Sequence, residues 1–419
     1  MPTSILLVVI FIGILITFHE FGHLIVAKFA HIPVESFSIG FGPVILKRKI
    51  GETEYRLSII PLGGYIKMTG EENPAEGGFS QKPLGIRIAV IAAGPTFNLI
   101  LGFVMMMAMY LIFGIKYLSP AIDPLPGSHS ESIGLLPGDM IVNVGGETIP
   151  NFGALEQILK AHAGKEIAIA VRRGDERFIL SYPVPESLDI EPFMAPVIDR
   201  VRAGSPAAKI GLKPGDRIIA VAGIKVKRWN DFVEIVRNSG GKPISITFQR
   251  RDVIFFDTIT PAVARDQMSE EKFGQIGVWA MLPRTSFSLP RAFSEALRRT
   301  GDITVQTLVI IYKVITRKIS ARAIGGPIMV AKIAYEGISW GSEYFLALWA
   351  LLSINLFVVN MLPIPVLDGG RILLDLIGGI RRRRLSDQEL TWASNIGWLI
   401  IGLLIAFTIF NDLLRLIQK

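Results

Sequence analysis

The chain has 419 residues, 50% of them apolar and 19% charged, with a mean hydropathy of +0.46. That balance excludes an ordinary soluble enzyme and reads as a membrane protein. It contains no cysteine, which removes disulfides, thiolate zinc ligands and a cysteine nucleophile and leaves His, Asp and Glu as metal ligands. The formal net charge of +8 gathers most densely at residues 381–384, between two apolar segments. Basic residues in that position orient a membrane protein, so no nucleic-acid partner is expected.

The first apolar segment, 4–28, lacks the basic start and small-residue cleavage site of a signal peptide and reads as a retained span. Inside it stands HEFGH at 19–23. On a helix His19 and His23 share a face one turn apart, where both imidazoles can hold one zinc ion, and Glu20 beside them can serve as general base toward a water. The alternative is polar groups satisfied by neighbouring helices or lining a proton path. Two histidines and a glutamate in a span are expensive unless paired or bound to metal, which favours the zinc reading. At about 1.5 Å per residue the motif lies roughly 22 Å from the outer end of the span, toward the cytoplasmic side.

Residues 35–70 alternate Gly, Pro and strand-like stretches, such as 53–60 and 65–68. A second span is expected over 86–115, followed by a long polar insert, then spans at 343–362 and 393–414. Lys and Arg in the linkers 29–85 and 363–392 place those linkers in the cytoplasm and the insert on the other side. The insert contains a repeat: IGLLPGDMIVNVGG at 133–146 returns as IGLKPGDRIIAVAG at 210–223. Segment 304–315 is apolar but short and carries Gln306 and Lys313, so it reads as an interfacial amphipathic helix. After the third span comes NMLPIPVLDGG at 360–370. Pro363 and Pro365 cannot continue a helix, so an extended chain ending in a Gly-Gly turn is expected to present Asp368 as third zinc ligand. Taken alone, Asp368 reads rather as a solvated loop carboxylate, and the Pro and Gly residues around it as a mere span terminus.

HExxH in the first span, GFGP at 40–43, PLGGYIKM at 61–68, AGPTFN at 93–98, the repeated modules and NxxPxPxLDGG, in that order, resemble the bacterial site-2 proteases of the RseP type, intramembrane zinc metalloproteases with tandem PDZ domains. The resemblance covers essentially the whole chain. It implies a polytopic α-helical protein of four transmembrane helices with a membrane-associated β-hairpin region and two β-rich PDZ-like domains. The expected division is 1–115, the first two spans and the hairpin; 116–187 and 188–262, the PDZ-like domains; 263–342, a linker with the interfacial helix; and 343–419, the last two spans. Carried over by motif, His19, His23 and Asp368 bind one zinc, Glu20 is the catalytic base, and Asn360 and, more weakly, Asn98 lie near the site. Arg371 departs from the histidine expected after the Gly-Gly pair. The family further implies a bacterial inner membrane, with the PDZ-like domains periplasmic and the active site toward the cytoplasm. Its substrates are single-span membrane proteins, an anti-sigma factor foremost and signal-peptide remnants besides. The hairpin is either a β-addition platform for substrate or an ordinary cytoplasmic hairpin. The PDZ-like domains are either a size filter or a sensor of peptide C-termini. Competing readings are a noncatalytic PDZ adaptor and a metal or ion transporter; the lack of a fourth zinc ligand and of inverted span repeats argues against them.

Overall fold

Uninterrupted apolar segments hide their backbone groups from lipid by bonding them along a helix, and the first two do so as α1 (Pro2–Phe29) and α2 (Leu84–Phe113). The computed structural model describes residues 2–71, 75–265, 271–319, 325–383 and 385–417, so Arg384 of the four-arginine run lies outside the described residues. Contacts divide the chain into one unit of 1–112 with 287–419 and another of 113–286. In the first unit α1 and α2 cross closely. A Cβ on Gly22 would stand 2.4 Å from the Ala93 carbonyl oxygen, and one on Gly94 would stand 2.2 Å from His23 Nε2. Glycine on both helices is what lets these backbones meet.

Between them, β1 (Val34–Ile50) and β2 (Thr53–Met68) form an antiparallel pair that bends back on itself. Ser36 faces both Lys67 and Glu54, and Ile39 faces both Gly64 and Leu57. The two strands therefore make four rows in the order 44–50, 53–60, 34–41 and 64–68, leaving 64–68 as an edge. Phe41, Val44, Ile45 and Leu46 are exposed and run directly into Lys47, Arg48 and Lys49, an apolar-to-basic order that suits a membrane boundary.

The second unit carries the repeat. After β3 (Ile115–Lys116), its first copy runs β4 (Ala121–Pro124), α3 (His129–Ser132), β5 (Asp139–Val144), β6 (Glu147–Thr148), α4 (Phe152–Ala161), β7 (Glu166–Arg173), β8 (Glu176–Pro183) and β9 (Ile190–Pro192). The second copy repeats the order: β10 (Ile198–Val201), α5 (Pro206–Lys209), β11 (Arg217–Val221), β12 (Ile224–Lys225), α6 (Trp229–Asn238), β13 (Ile244–Arg250) and β14 (Val253–Ile259). The first sheet has the order β8-β7-β5-β4-β9 with β6 on β5; the second has β12-β11-β13-β14. Each copy buries its own apolar core, around Ile141, Leu155 and Tyr182 in one and Ile218, Phe232 and Ile246 in the other.

The repeated Pro-Gly turns, with φ of +96° at Gly138 and +88° at Gly215, bring an aspartate to each strand start. Asp139 is 1% exposed and Asp216 0%. Each accepts a backbone N–H at 2.8 Å, from Leu136 or Lys213, and a two-pronged arginine, Arg173 or Arg250, at 2.7–2.8 Å. The same arginines cap the Gly134 and Gly211 carbonyls at 2.7 Å. One device, used twice, ties turn, short helix and hairpin together.

Regular structure continues into the expected linker as β15 (Ala262–Arg265), β16 (Lys272–Gln275), β17 (Val278–Ala280) and β18 (Arg284–Thr285). β17 pairs with β10, Ile276 lies in the second core and β18 pairs with β3. The second module thus extends past residue 262, because its first strand finds a partner only there. Likewise Ile190 on β9 is buried with the first module, whose β4 it flanks.

The chain returns to the first unit as α7 (Leu289–Ile315), α8 (Pro327–Ser339), α9 (Ser342–Asn360), α10 (Asp368–Ile380) and α11 (Asp387–Ile417). Segment 304–315 is the second half of α7, which begins earlier because Ala292, Ala296, Thr300 and Ile303 form one buried stripe at helical spacing. Four helical segments are long and apolar enough to cross a membrane: Ile10–Phe29, Leu84–Phe113, Ser342–Asn360 and Gln388–Leu414. They fall where the sequence places its four spans.

If the buried aspartates need their arginines, Arg250→Ala should loosen the second module alone and Arg173→Ala the first alone. Each should lose roughly 3 kcal/mol, the lower end for an orphaned buried charge, since both guanidinium groups have a solvated edge. Hydrogen exchange of the full chain checks this: amides 244–259 should lose protection in Arg250→Ala while 166–183 keep theirs, and the reverse in Arg173→Ala.

Candidate metal centre

α1 carries His19 and His23 one turn apart, both buried. Asp368 comes to them from the other end of the chain, with Oδ2 at 3.1 Å from His19 Nε2 and Oδ1 at 3.7 Å from His23 Nε2. The two Nε2 atoms stand 3.3 Å apart. Ligand atoms of all three residues lie within 4.8 Å of one another, and they are the group of metal-ligating residues found among the described residues.

The expectation of an extended chain and a Gly-Gly turn before this site requires correction. Asp368 is the first residue of α10, and Gly369 and Gly370 lie within its first turn. They are glycines for close approach: a Cβ would stand 2.3 Å from the Met361 carbonyl oxygen at Gly369, and 2.0 Å from that of Ile364 at Gly370. Pro363 and Pro365 shape the short turn between α9 and α10 onto which these glycines pack. A carboxylate at a helix start is also favoured by the helix dipole.

The outer nitrogens of both rings are occupied. His23 Nδ1 lies 2.8 Å from the carbonyl oxygen of Val90 on α2, so it carries the proton there and leaves Nε2 as a lone pair. Gly94 leaves the space the ring fills, and Pro95 beside it leaves the Ile91 carbonyl without an intrahelical donor. His19 Nδ1 meets Asn98 Nδ2 at 3.1 Å and Asn360 Nδ2 at 3.3 Å. With Nε2 turned to a metal, His19 carries its proton on Nδ1 and needs an acceptor. Asn98 is 0% exposed and its Oδ1 has no partner among the described residues, so a turn of its amide brings that oxygen to the His19 Nδ1 proton as its acceptor. The backbone of Asn98 is held in turn by Ser353 Oγ of α9, which donates to its carbonyl at 2.7 Å.

Glu20 is half-buried and projects toward the β-sheet, where a Cβ on Gly64 would lie 3.4 Å from its Cγ. The catalytic candidate therefore sits against the 64–68 edge row, beside the ligands. Two imidazole nitrogens, one carboxylate and their supporting partners fit a zinc site with three protein ligands and an open fourth position. The sequence reading brought His19, Glu20, His23, Asp368, Asn98 and Asn360 to this place. It did not find Gly22, Gly94 or the Val90 carbonyl, although a Gly-Pro pair inside an apolar span is a legible sign of close helix contact.

A family model described as peptidase family M50 matches residues 7–404. The chain is 32% identical over 452 residues to the regulator of sigma-E protease RseP of Escherichia coli, covering 97% of this chain and 98% of that one. It is 34% identical over 436 residues to a Neisseria meningitidis protein that carries a zinc-metalloprotease name, covering 96% and 97%. Among solved structures, the PDZ domain of an SdrC-like protein from Listeria monocytogenes matches 20% of this chain and 85% of its own length at 22% identity, with a TM-score of 0.18, a likeness that carries no argument.

Gly94→Ala should push the His23 ring from its seat, and Asn98→Leu should leave His19 Nδ1 without an acceptor. Each is expected to weaken zinc binding by about 10- to 100-fold. Metal content against a competing chelator, with circular dichroism to verify the fold, is the measurement.

Proposed function

Since the chain belongs to peptidase family M50, the site-2 proteases, and is a zinc metalloprotease, we propose that it cuts peptide bonds within the transmembrane segments of single-span membrane proteins. The observation that carries this reading is the meeting of His19, His23 and Asp368, from opposite ends of the chain, at or next to helices long enough to cross a membrane. Water-dependent chemistry placed there acts on chain that lies in the bilayer.

His19, His23 and Asp368 hold one zinc, and Glu20 is the catalytic base. Zinc, when bound, supplies Lewis-acid stabilisation of negative charge on the scissile carbonyl oxygen and acidifies a water. Glu20 takes the proton from the attacking water and gives it to the leaving nitrogen. Asn360, half-buried at the end of α9, offers its amide N–H to the developing oxyanion. Asn98 keeps the His19 ring in the tautomer that frees Nε2.

A helical substrate must open locally before attack, because its carbonyls are otherwise bonded within the helix. The 64–68 row supplies the remedy: it is a sheet edge beside Glu20, where an extended stretch of substrate can add as a further strand. The two modules of 113–286 share the repeat and the buried Asp–Arg tie, and they act as tandem PDZ domains in the periplasm, screening substrates by the size of the external domain. The active site lies toward the cytoplasmic face of a bacterial inner membrane, a reading supported by the basic residues of the linkers 29–85 and 363–392. The E. coli relative is named a regulator of sigma-E protease; an anti-sigma factor already trimmed outside the membrane is accordingly the first candidate substrate, with signal-peptide remnants second.

Purified Glu20→Gln should lose cleavage of a trimmed single-span reporter by at least about 10²-fold while retaining its zinc. Mass spectrometry of the products should place the cut within the span. Undiminished turnover by Glu20→Gln would refute the assignment.

A further inference from the structure

Arg371, three residues beyond Asp368 on α10, opens on a cavity of about 430 Å³ that the proposed chemistry does not use. Arg87, Arg371, Arg382 and Arg383 line its polar wall together with Ser80 and the carboxylates Glu71 and Asp375, and Ile91 and Leu374 belong to its apolar one. Carboxylates answer part of the charge. Glu71 accepts from Arg371 at 2.5 Å, Asp375 pairs with Arg87 at 3.0 Å, and Glu389 pairs with Arg383 at 2.8 Å. Arg382 makes no ion pair among the described residues, and its backbone is held at φ +51°, a conformation in which glycine is favoured.

Two further observations point to an anionic occupant. The Nε of Arg87 is buried and has no hydrogen-bond partner among the described residues, and a guanidinium N–H so placed calls for an acceptor. The cavity also lies where membrane spans begin: Arg87 is one turn into the segment Leu84–Phe113, and the lining residue Leu390 is at the start of Gln388–Leu414. Phospholipid phosphates sit at that level, with apolar chain just beneath.

We infer that this cavity binds the phosphate of an anionic phospholipid headgroup. Arg87 and Arg382 donate to the phosphate oxygens, and Ile91 and Leu374 pack against the start of the acyl chains. A free phosphate ion offers the same oxygens without the apolar part. The site also adds a role to the arginine run that charge alone assigns to orientation.

Native mass spectrometry of the purified full chain, titrated in detergent with phosphatidylglycerol, phosphatidylcholine or inorganic phosphate, tests this. An arginine facing an anionic headgroup is worth roughly fivefold in affinity. Phosphatidylglycerol binding should weaken about fivefold in Arg87→Gln and in Arg382→Gln, and remain unchanged in Arg177→Gln on β8. Phosphatidylcholine should bind more weakly to the unmutated chain. Displacement of phosphatidylglycerol by millimolar phosphate would support the site with the free ion as a second occupant; binding that resists phosphate would support it as a lipid site. Equal phosphatidylglycerol binding by all four proteins, or equal binding of both lipids by the unmutated chain, would overturn it. Arg382→Gln breaks no ion pair and keeps the test decisive if Arg87→Gln fails to fold. Proteolysis is not the readout, so failure here leaves the protease reading intact.

Discussion

A histidine buried in a membrane helix must find partners for both ring nitrogens, because no water or solvated loop lies beside it to take the second. The first unit is organised around meeting that demand for two histidines at once. The inner nitrogens converge with Asp368, and the outer ones turn to the Val90 carbonyl and to two asparagines. Val90 and Asn98 sit on α2 and Asn360 on α9, so α2 and α9 are held in place by the needs of α1. Glycines at 22 and 94 allow the approach, Ser353 ties α9 to α2, and Gly369 and Gly370 seat the helix that presents the carboxylate.

The second unit solves a different problem with a repeated answer. Its modules are small, and each reinforces a modest apolar core with one charged tie between a buried aspartate and an arginine that also caps a backbone carbonyl. Such a tie contributes through what it prevents: once the aspartate is buried, loss of the arginine leaves a charge with nowhere to go. The tie spans turn, helix and hairpin in each copy, which favours modules that hold their shape.

Much of this was legible in the sequence. Four apolar segments gave their positions directly, since length and hydropathy alone decide what can cross a bilayer. The HEFGH spacing told which face of α1 carries the ligands. Asp368 does reach the two histidines, but from the first turn of a helix and not from the extended chain that the proline pair suggests. Gly-Gly after a proline pair looks like a turn, whereas here both residues are helical and small for the sake of neighbouring carbonyls. The Asp–Arg tie stands in both repeat copies, as Asp after Pro-Gly and Arg before the hairpin turn, but each half reads as surface charge until burial is known. The strands from residue 262 onward are not legible for another reason: they are short, lie outside the repeat and pair either with each other, β15 with β16, or with distant strands, β17 with β10 and β18 with β3.

The central claim is that two imidazoles and one carboxylate hold a single zinc with a fourth position left open for chemistry. X-ray absorption spectroscopy at the zinc edge on the purified chain, combined with metal content, addresses it most directly. The account expects one zinc per chain, bound by two histidine nitrogens and one protein carboxylate, with a solvent oxygen that azide or a hydroxamate displaces. A closed shell of four protein ligands that no small molecule perturbs, or a spectrum unchanged in Asp368→Ala, would contradict it.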